Sequence, residues 1–156
     1  MAKLTKKEIK KRIKDGWIYA RMWFEVLALT KEAADASLKQ HVEKLEKFPD
    51  IIIINKRFMK VKKVKKPFRD IEQAFSKVVK TEVLVKNVEA LVYITIMFGP
   101  SAVEIIEPLE FKLSIATVQS IVNTFADLVH RFAAMKGGLM IPIAYAEDLM
   151  KRRQRR

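Results

Sequence analysis

The sequence predicts an α+β fold of the ferredoxin-like class, in the element order β-α-β-β-α-β. Residues 17–29 and 74–86 alternate apolar and polar side chains with a period of two, which is typical of strands with one buried face. Residues 31–47 carry apolar side chains at helical spacing, and residues 51–54 are four consecutive isoleucines. This order forms a four-stranded antiparallel sheet with two helices on one face.

The first half of the chain begins with a basic helix. Thr5 and Glu8 have the spacing of a capping box, and Gly16 ends the helix. The strand at 17–29 places residues 18, 20, 22, 24, 26 and 28 on one face. Thr30 can cap the helix at 31–47, which Pro49 terminates. We expect residues 51–64 to form one long strand whose basic end projects past the core, up to Pro67.

In the second half, a strand at 74–86 leads to Asn87, which can cap a helix at 88–98. This helix is apolar almost all round, so we expect it to be covered on both sides. A short strand follows at 102–107, and then a long helix at 113–135. Its predicted core stripe is formed by Ile115, Val118, Val122, Phe125, Val129 and Phe132. Residues 139–150 are expected to form a short helix.

These elements predict three regions. Residues 1–15 form the basic N-terminal helix, residues 16–136 form a single ferredoxin-like domain with its C-terminal helix, and residues 137–156 form an extension with a basic tail. The sheet face that carries Trp17, Tyr19 and Trp23 needs a cover, which the 113–135 helix or a second copy of the chain can provide.

The positive charge is concentrated in three short segments. The chain has 31 Lys and Arg against 18 Asp and Glu, a formal net charge of +13. Segments 1–15, 56–69 and 151–156 carry +5, +8 and +5, which leaves −5 for everything else. Such concentration costs electrostatic self-repulsion, and a polyanion would relieve it by releasing its condensed counterions.

We therefore predict a nucleic-acid-binding protein that contacts phosphates with little sequence specificity, RNA being favoured over DNA. The predicted contact residues are Lys6, Lys7, Lys10, Lys11, Arg12, Lys56, Arg57, Lys60, Lys62, Lys63, Lys65, Lys66, Arg69, Lys151, Arg152, Arg153, Arg155 and Arg156. Attachment to anionic lipid through the basic helix at 4–14 is a further possibility, but its apolar stripe lacks the bulky anchors that membrane surfaces favour. Two other interpretations stay open. The lysines can guard an edge strand against aggregation and the tails can serve solubility. Alternatively, the chain is a homo-oligomeric scaffold or small-molecule-sensing module, paired as a homodimer through residues 88–98.

The aromatic side chains of the first strand have two interpretations. Tyr19, Arg21 and Trp23 can form a platform on which RNA bases stack. The third strand, however, lacks the basic-Gly-aromatic signature of RNA-recognition modules, since it presents Ser76, Val78, Lys80, Glu82 and Leu84 on that side. We favour packing of Tyr19 and Trp23 beneath the C-terminal helix.

The composition argues against most catalytic and membrane functions. The chain has no cysteine, two histidines and four glycines, which excludes thiol nucleophiles, zinc-finger sites and Gly-rich phosphate loops. We predict no enzyme, no metal and no cofactor. No apolar run reaches the length of a membrane span, and the N-terminus is polar, so we expect a cytoplasmic protein. Abundant Lys, Glu and Ile with few Asn and Gln indicate a thermophile, an archaeon by this profile.

One local pattern resembles a known family. Residues 98–132 resemble the end of the C-terminal extension of WYL-domain transcriptional regulators. The resemblance rests on Phe98-Gly99, the strand Ala102–Pro108 and the long amphipathic helix that follows. The resemblance implies a ferredoxin-like module. The WYL domain itself and a winged helix are not evident in this sequence.

Overall fold

The structure is a computed structural model that describes residues 4–135. This part of the chain contains four helices and five strands: α1 (Lys6–Lys14), β1 (Ile18–Ala28), α2 (Lys31–Glu46), β2 (Ile51–Phe58), β3 (Lys62–Phe68), β4 (Ile71–Val85), α3 (Val88–Phe98), β5 (Ala102–Glu107) and α4 (Ile115–Met135). The chain divides into two compact units, the first ending at Lys112 and the second beginning at Leu113.

The five strands form one antiparallel sheet. Its order is β2-β4-β1-β5, and β3 also pairs with β4. The register aligns Ile18 with Val85, Trp23 with Lys80 and Ala28 with Phe75 along β1 and β4. The long strand β4 is therefore the centre of the sheet, bordered by β1 on one side and by β2 and then β3 on the other.

The inner face of the sheet, which carries Ile18, Ala20, Met22 and Phe24, forms the core. These side chains are buried, and residues between them on β1 are less buried, as the period of two predicts. Helix α2 contributes Ala34, Leu38, Val42 and Leu45 to this core, and α3 contributes Ala90, Leu91 and Ile94. Tyr19, Arg21 and Trp23 lie on the opposite, outer face.

Helix caps confirm the predicted starts of three helices. Thr5 and Glu8 form a complete capping box at α1, Thr30 accepts a hydrogen bond from the Ala33 N–H, and Asn87 accepts one from the Ala90 N–H. Each bond satisfies a backbone donor that the first helical turn leaves free.

The predicted single strand at 51–64 is wrong. The chain forms β2, leaves the strand conformation at residues 59–61, and resumes as β3 on the same edge of β4. Phe58 pairs with Val79 and Lys62 with Ser76, so the β2–β3 side holds one more residue than the β4 side. This extra residue is accommodated by an interruption of the strand, as in a bulge. The sheet thus has five strands where four were predicted.

The prediction that α3 is covered on both sides is also wrong. Helix α3 buries one side only, because Tyr93 is 47% exposed and Met97 is 59% exposed. Helix α4 belongs to the second unit, and within that unit the side chains of its apolar stripe, from Ile115 to Phe132, are exposed. Helical spacing identifies which side chains share a face, but the partner that covers the face is a matter of tertiary structure.

Candidate nucleic-acid interface

The basic residues of α1 lie along an exposed helix. The backbone N–H of Thr5 donates to the Glu8 carboxylate at 2.6 Å, and this bond, followed by one from the Thr5 hydroxyl, lowers the pKa of Glu8. The guanidinium of Arg12 lies 4.7 Å from the ring centroid of Trp17. The remaining predicted contact residues of this helix are exposed: Lys6, Lys7, Lys10 and Lys11.

The second basic segment builds a hairpin from β3 and the beginning of β4, which we call the arm (residues 62–76). Strand β1 ends its pairing with β4 at Phe75, so residues 71–74 of β4 extend past it. The tight turn of the arm contains Arg69, and Lys66 adopts a left-handed backbone conformation with φ of 47°. The arm is the projecting basic element that the sequence predicts, although it is a hairpin rather than a single strand.

Cross-strand register shows which face each arm lysine occupies. Lys62 pairs with Ser76 on the outer face, while Lys63 pairs with Phe75 and Lys65 with Gln73 on the inner side. The lysines of the arm therefore project to both sides of the two-stranded ribbon. The β4 partners of Lys62, Lys63 and Lys65 are all uncharged, while the arm's own two carboxylates, Asp70 and Glu72, lie at and beside its turn.

On the inner side, the arm meets the beginning of α2. The ammonium of Lys31 lies 5.8 Å from the ring centroid of Phe75, which is the cross-strand partner of Lys63. Lys77 follows Phe75 on the same side, and its ammonium lies 3.0 Å from Asp35. Hydrogen bonds from Lys39 and then Lys77 lower the pKa of the Asp35 carboxyl.

Sequence reasoning missed Lys31 and Lys77 as members of this cluster. Both lie outside the three charge-rich segments, and only the register that places Phe75 beside β3 brings them to the arm. The signal available in the sequence was the alternation of residues 74–86, which assigns Phe75 and Lys77 to the same side of their strand.

The cations at the base of the arm differ in whether a carboxylate pairs with them. The ammonium of Lys56 donates to Glu46 of α2 at 2.7 Å, so its charge is already compensated. Arg57 is exposed on the outer face, directly opposite Lys80. Lys60 is exposed in the interruption between β2 and β3.

The outer face of β1 is less basic than a platform of Tyr19, Arg21 and Trp23 suggests. Arg21 donates to Glu104 at 2.6 Å and lies 3.7 Å from Glu82. The hydrogen bond to Glu104 raises the pKa of Arg21, and burial followed by the charge of Glu82 raises the pKa of Tyr19. Arg21 is thus neutralised by two carboxylates.

The structure does not bring the arm and α1 to the same end of the sheet. Helix α1 connects to β1 at Ile18, which pairs with Val85 at the end of β4. The turn of the arm lies at the other end of β4, which is 15 residues long, about 50 Å at a rise of about 3.3 Å per residue. The third predicted segment, Lys151–Arg156, lies outside the described residues, as does the predicted helix at 139–150.

Other classes of site find no support in residues 4–135. No cluster of three or more metal-ligating side chains occurs in this range. His41 is occupied structurally, since its Nε2 lies 2.9 Å from the carbonyl oxygen of Phe98. Over the same range, no helix combines the length and apolar character needed to cross a lipid bilayer.

Comparison with known proteins gives one match. The sequence model of the MJ0538 family matches residues 19–152, which include β1 from its second residue, the other four strands and the helices α2, α3 and α4. No curated protein and no solved structure matches the chain. Because the matched region covers most of its length, the chain belongs to the MJ0538 family.

Proposed function

We propose that this protein binds nucleic acid through the arm, by phosphate contacts that carry little sequence information. The observation that supports this function is the excess of positive charge on the arm, which holds five bases (Lys62, Lys63, Lys65, Lys66 and Arg69) against two acids (Asp70 and Glu72). Segment 56–69 holds eight bases and no acid, and the residues that pair with Lys62, Lys63 and Lys65 on β4 are all uncharged. A binding role rather than a catalytic one follows from this proposal.

The approach of Lys31 favours this function over simple protection of a sheet edge. Lysines on the edge strand itself are sufficient to discourage edge-to-edge pairing. Lys31 belongs to a helix, yet it joins the arm at Phe75 and adds a further cation to the inner side. Cations from two elements around one aromatic ring are typical of surfaces that bind a phosphate backbone and stack a base.

RNA is favoured over DNA because Phe75 lies among the lysines. Aromatic side chains recognise bases that are unstacked, and these occur mostly in single-stranded RNA loops and ends. Helix α1 and the C-terminal basic segment are proposed to make additional phosphate contacts. Since α1 joins the other end of the sheet, its contribution and that of the arm should be separable by mutation.

The test is a titration of the protein with single-stranded RNA at several salt concentrations. The logarithm of the binding constant should decrease linearly with the logarithm of salt concentration, with a slope of about −0.7 for each phosphate neutralised. Replacing Lys62, Lys63 and Lys65 by Gln should reduce the magnitude of the slope by about 2. Replacing Lys44, Lys47 and Lys112 by Gln changes the net charge equally at sites away from the arm, and serves as the control.

Two results would contradict the proposal. The first is undetectable binding at low salt. The second is binding whose salt dependence is the same in the arm variant and in the control variant, because the contacts would then lie elsewhere.

A second candidate function rests on the exposed side of α3. Tyr93 and Met97 are four residues apart, so they lie on one helix face, and both are about half exposed. We propose as the alternative a homo-oligomeric scaffold or sensing module that pairs through this face. Replacing Met97 by Glu should then convert the oligomer to a monomer in sedimentation velocity, while a monomeric unaltered protein removes this candidate.

We also propose that β1, α2, β2, β4, α3 and β5 form a ferredoxin-like unit to which β3 is an addition. The resemblance of residues 98–132 to the extension of WYL-domain regulators implies the same arrangement. A solved structure of a family member that lacks the β3 segment and keeps the other pairings would support this proposal.

A further inference from the structure

Three side chains form a row across the outer face of the sheet. Arg57 on β2 pairs with Lys80 on β4, and Lys80 pairs with Trp23 on β1. Cross-strand partners project to the same face with their Cβ atoms about 5 Å apart. The row therefore places two cations next to each other and beside an indole ring.

The carboxylates around this row are engaged by other groups. Glu82 and Glu104 interact with Arg21, at 3.7 Å and 2.6 Å. Glu25 accepts a hydrogen bond from the Ser76 hydroxyl. Neither Arg57 nor Lys80 forms a salt bridge with another residue of the 4–135 range. The pair of cations thus carries uncompensated charge, which destabilises the sheet in the absence of an anion.

Trp23 lies at one end of the row, where its indole ring can stack against a base. The ammonium of Lys80 lies 5.7 Å from its ring centroid, and the guanidinium carbon of Arg21 lies 5.9 Å from it. The indole is partly exposed. By contrast, Tyr19 pairs with Leu84 and Glu107, and Leu84 pairs in turn with Ile52. No cation is present in that row.

The row continues into the arm on the same face. Lys62 pairs with Ser76, four residues from Lys80 along β4, or about 13 Å at a rise of about 3.3 Å per residue. A chain of phosphates that follows the seam between β4 and its neighbours β2 and β3 would meet Lys62 first and then Arg57 with Lys80.

We infer that Arg57, Lys80 and Trp23 form a binding site for single-stranded nucleic acid, with a phosphate between the two cations and the adjacent base stacked on the indole. This inference rests on the proposed function and adds a base-stacking site for a single strand outside the arm, on the outer face of the sheet. In a duplex the faces of the bases are covered by their neighbours, so the indole can stack only on a base of a single strand. A bound phosphate also offsets the repulsion between the two cations.

Tryptophan fluorescence tests the site directly. The Trp17→Phe variant leaves Trp23 as the sole tryptophan, and a 12-residue oligouridine is the probe. Stacking should quench the Trp23 emission in a saturable manner, and a duplex of the same length should quench it much less. Removing the base contact with Trp23→Ala should lower the affinity by about tenfold, while Trp23→Phe, which keeps an aromatic face, should lower it less.

The cations are tested separately from the fold. Arg57→Ala and Lys80→Ala should each reduce the affinity by about tenfold, and Lys44→Ala on α2 should leave it unchanged. Circular dichroism of each variant shows whether the fold is retained. Arg57 is exposed, so its variant remains informative even where Trp23→Ala fails to fold.

Each outcome assigns failure to one proposal. If the unaltered protein does not bind oligouridine at low salt, both the proposed function and this site are wrong. If it binds with the predicted salt dependence but the Trp23 emission does not change, only this site is wrong. The same conclusion follows if Arg57→Ala and Lys80→Ala match Lys44→Ala, or if the duplex binds equally well.

Discussion

The imidazole of His41 and the backbone carbonyl of Phe98 join the two helices that cover the sheet. His41 Nε2 lies 2.9 Å from the Phe98 oxygen, and since a carbonyl only accepts hydrogen bonds, this nitrogen carries the proton. The ring also lies 5.4 Å from Phe24 and 5.6 Å from Phe98, between centroids. His41 therefore connects α2 to the C-terminal end of α3 while packing against the core.

Replacing His41 by Ala should destabilise the fold. The substitution removes the hydrogen bond and two aromatic contacts, so we expect the free energy of unfolding to fall by about 2 kcal/mol. Urea denaturation measures the change. His41→Gln, whose amide can donate to the same carbonyl, should lose less. An alanine variant as stable as the unaltered protein would show that the link between the helices contributes nothing.

Arg57→Glu should stabilise the fold while it weakens binding. A glutamate at position 57 would lie opposite Lys80, which replaces repulsion with attraction, and such a cross-strand change contributes about 0.2–1 kcal/mol. Thermal unfolding should show a higher midpoint, and the RNA titration should show a lower affinity. Arg57→Gln, which only removes repulsion, should lie between them in stability. A lower midpoint for Arg57→Glu would contradict this account of the row.

The ion pairs of Asp35 should make stability depend on pH in the acid range. Hydrogen bonds from Lys39 and then Lys77 place the folded-state pKa of Asp35 below its ordinary value of 3.8. The contribution to stability is present above this unfolded-state value and is lost as the pH falls through the folded-state pKa. Unfolding free energies measured from pH 6 downwards should therefore decrease less steeply in Asp35→Asn. Equal slopes in both proteins would contradict the assignment.

Asn87→Ala should cost about 1 kcal/mol of stability. The Asn87 side-chain oxygen accepts from the Ala90 N–H at 2.8 Å, and α3 begins directly after a buried strand end. Chemical denaturation measures the loss, and Asn87→Asp, which keeps an acceptor oxygen and favours the positive end of the helix dipole, should restore it. A matched substitution at the exposed helix, Thr5→Ala, should affect the global unfolding less, because α1 buries no residue.

Local patterns predicted much of the architecture. The alternation along β1 identifies its buried face, and the caps and Gly99-Pro100 give α3 the bounds that the structure shows, because these signals involve residues near one another in sequence. The split of 51–64 into two strands was not predictable in the same way. The interruption arises where one extra residue is accommodated against β4, and a partner strand is not visible in a segment's own sequence.

The candidate site was likewise predictable only in part from the sequence. The lysines of the arm are evident as a run of charge in the sequence, whereas Lys31, Lys77 and Lys80 are scattered single residues. Lys31 becomes relevant because α2 begins beside Phe75, and Lys80 because the register places it between Arg57 and Trp23. The same register neutralises Arg21, which the sequence presents as an equal member of the platform.

The sequence by itself determined the order of the helices and strands, the buried side of β1 and the concentration of positive charge, since each depends on neighbouring residues and on composition. Only the tertiary structure decided that the sheet has a fifth strand. It also decided which cations lie beside carboxylates and which lie beside other cations. The physical reason is that strand register and helix docking join residues distant in the chain, and the balance of charge at each point depends on the neighbours they supply.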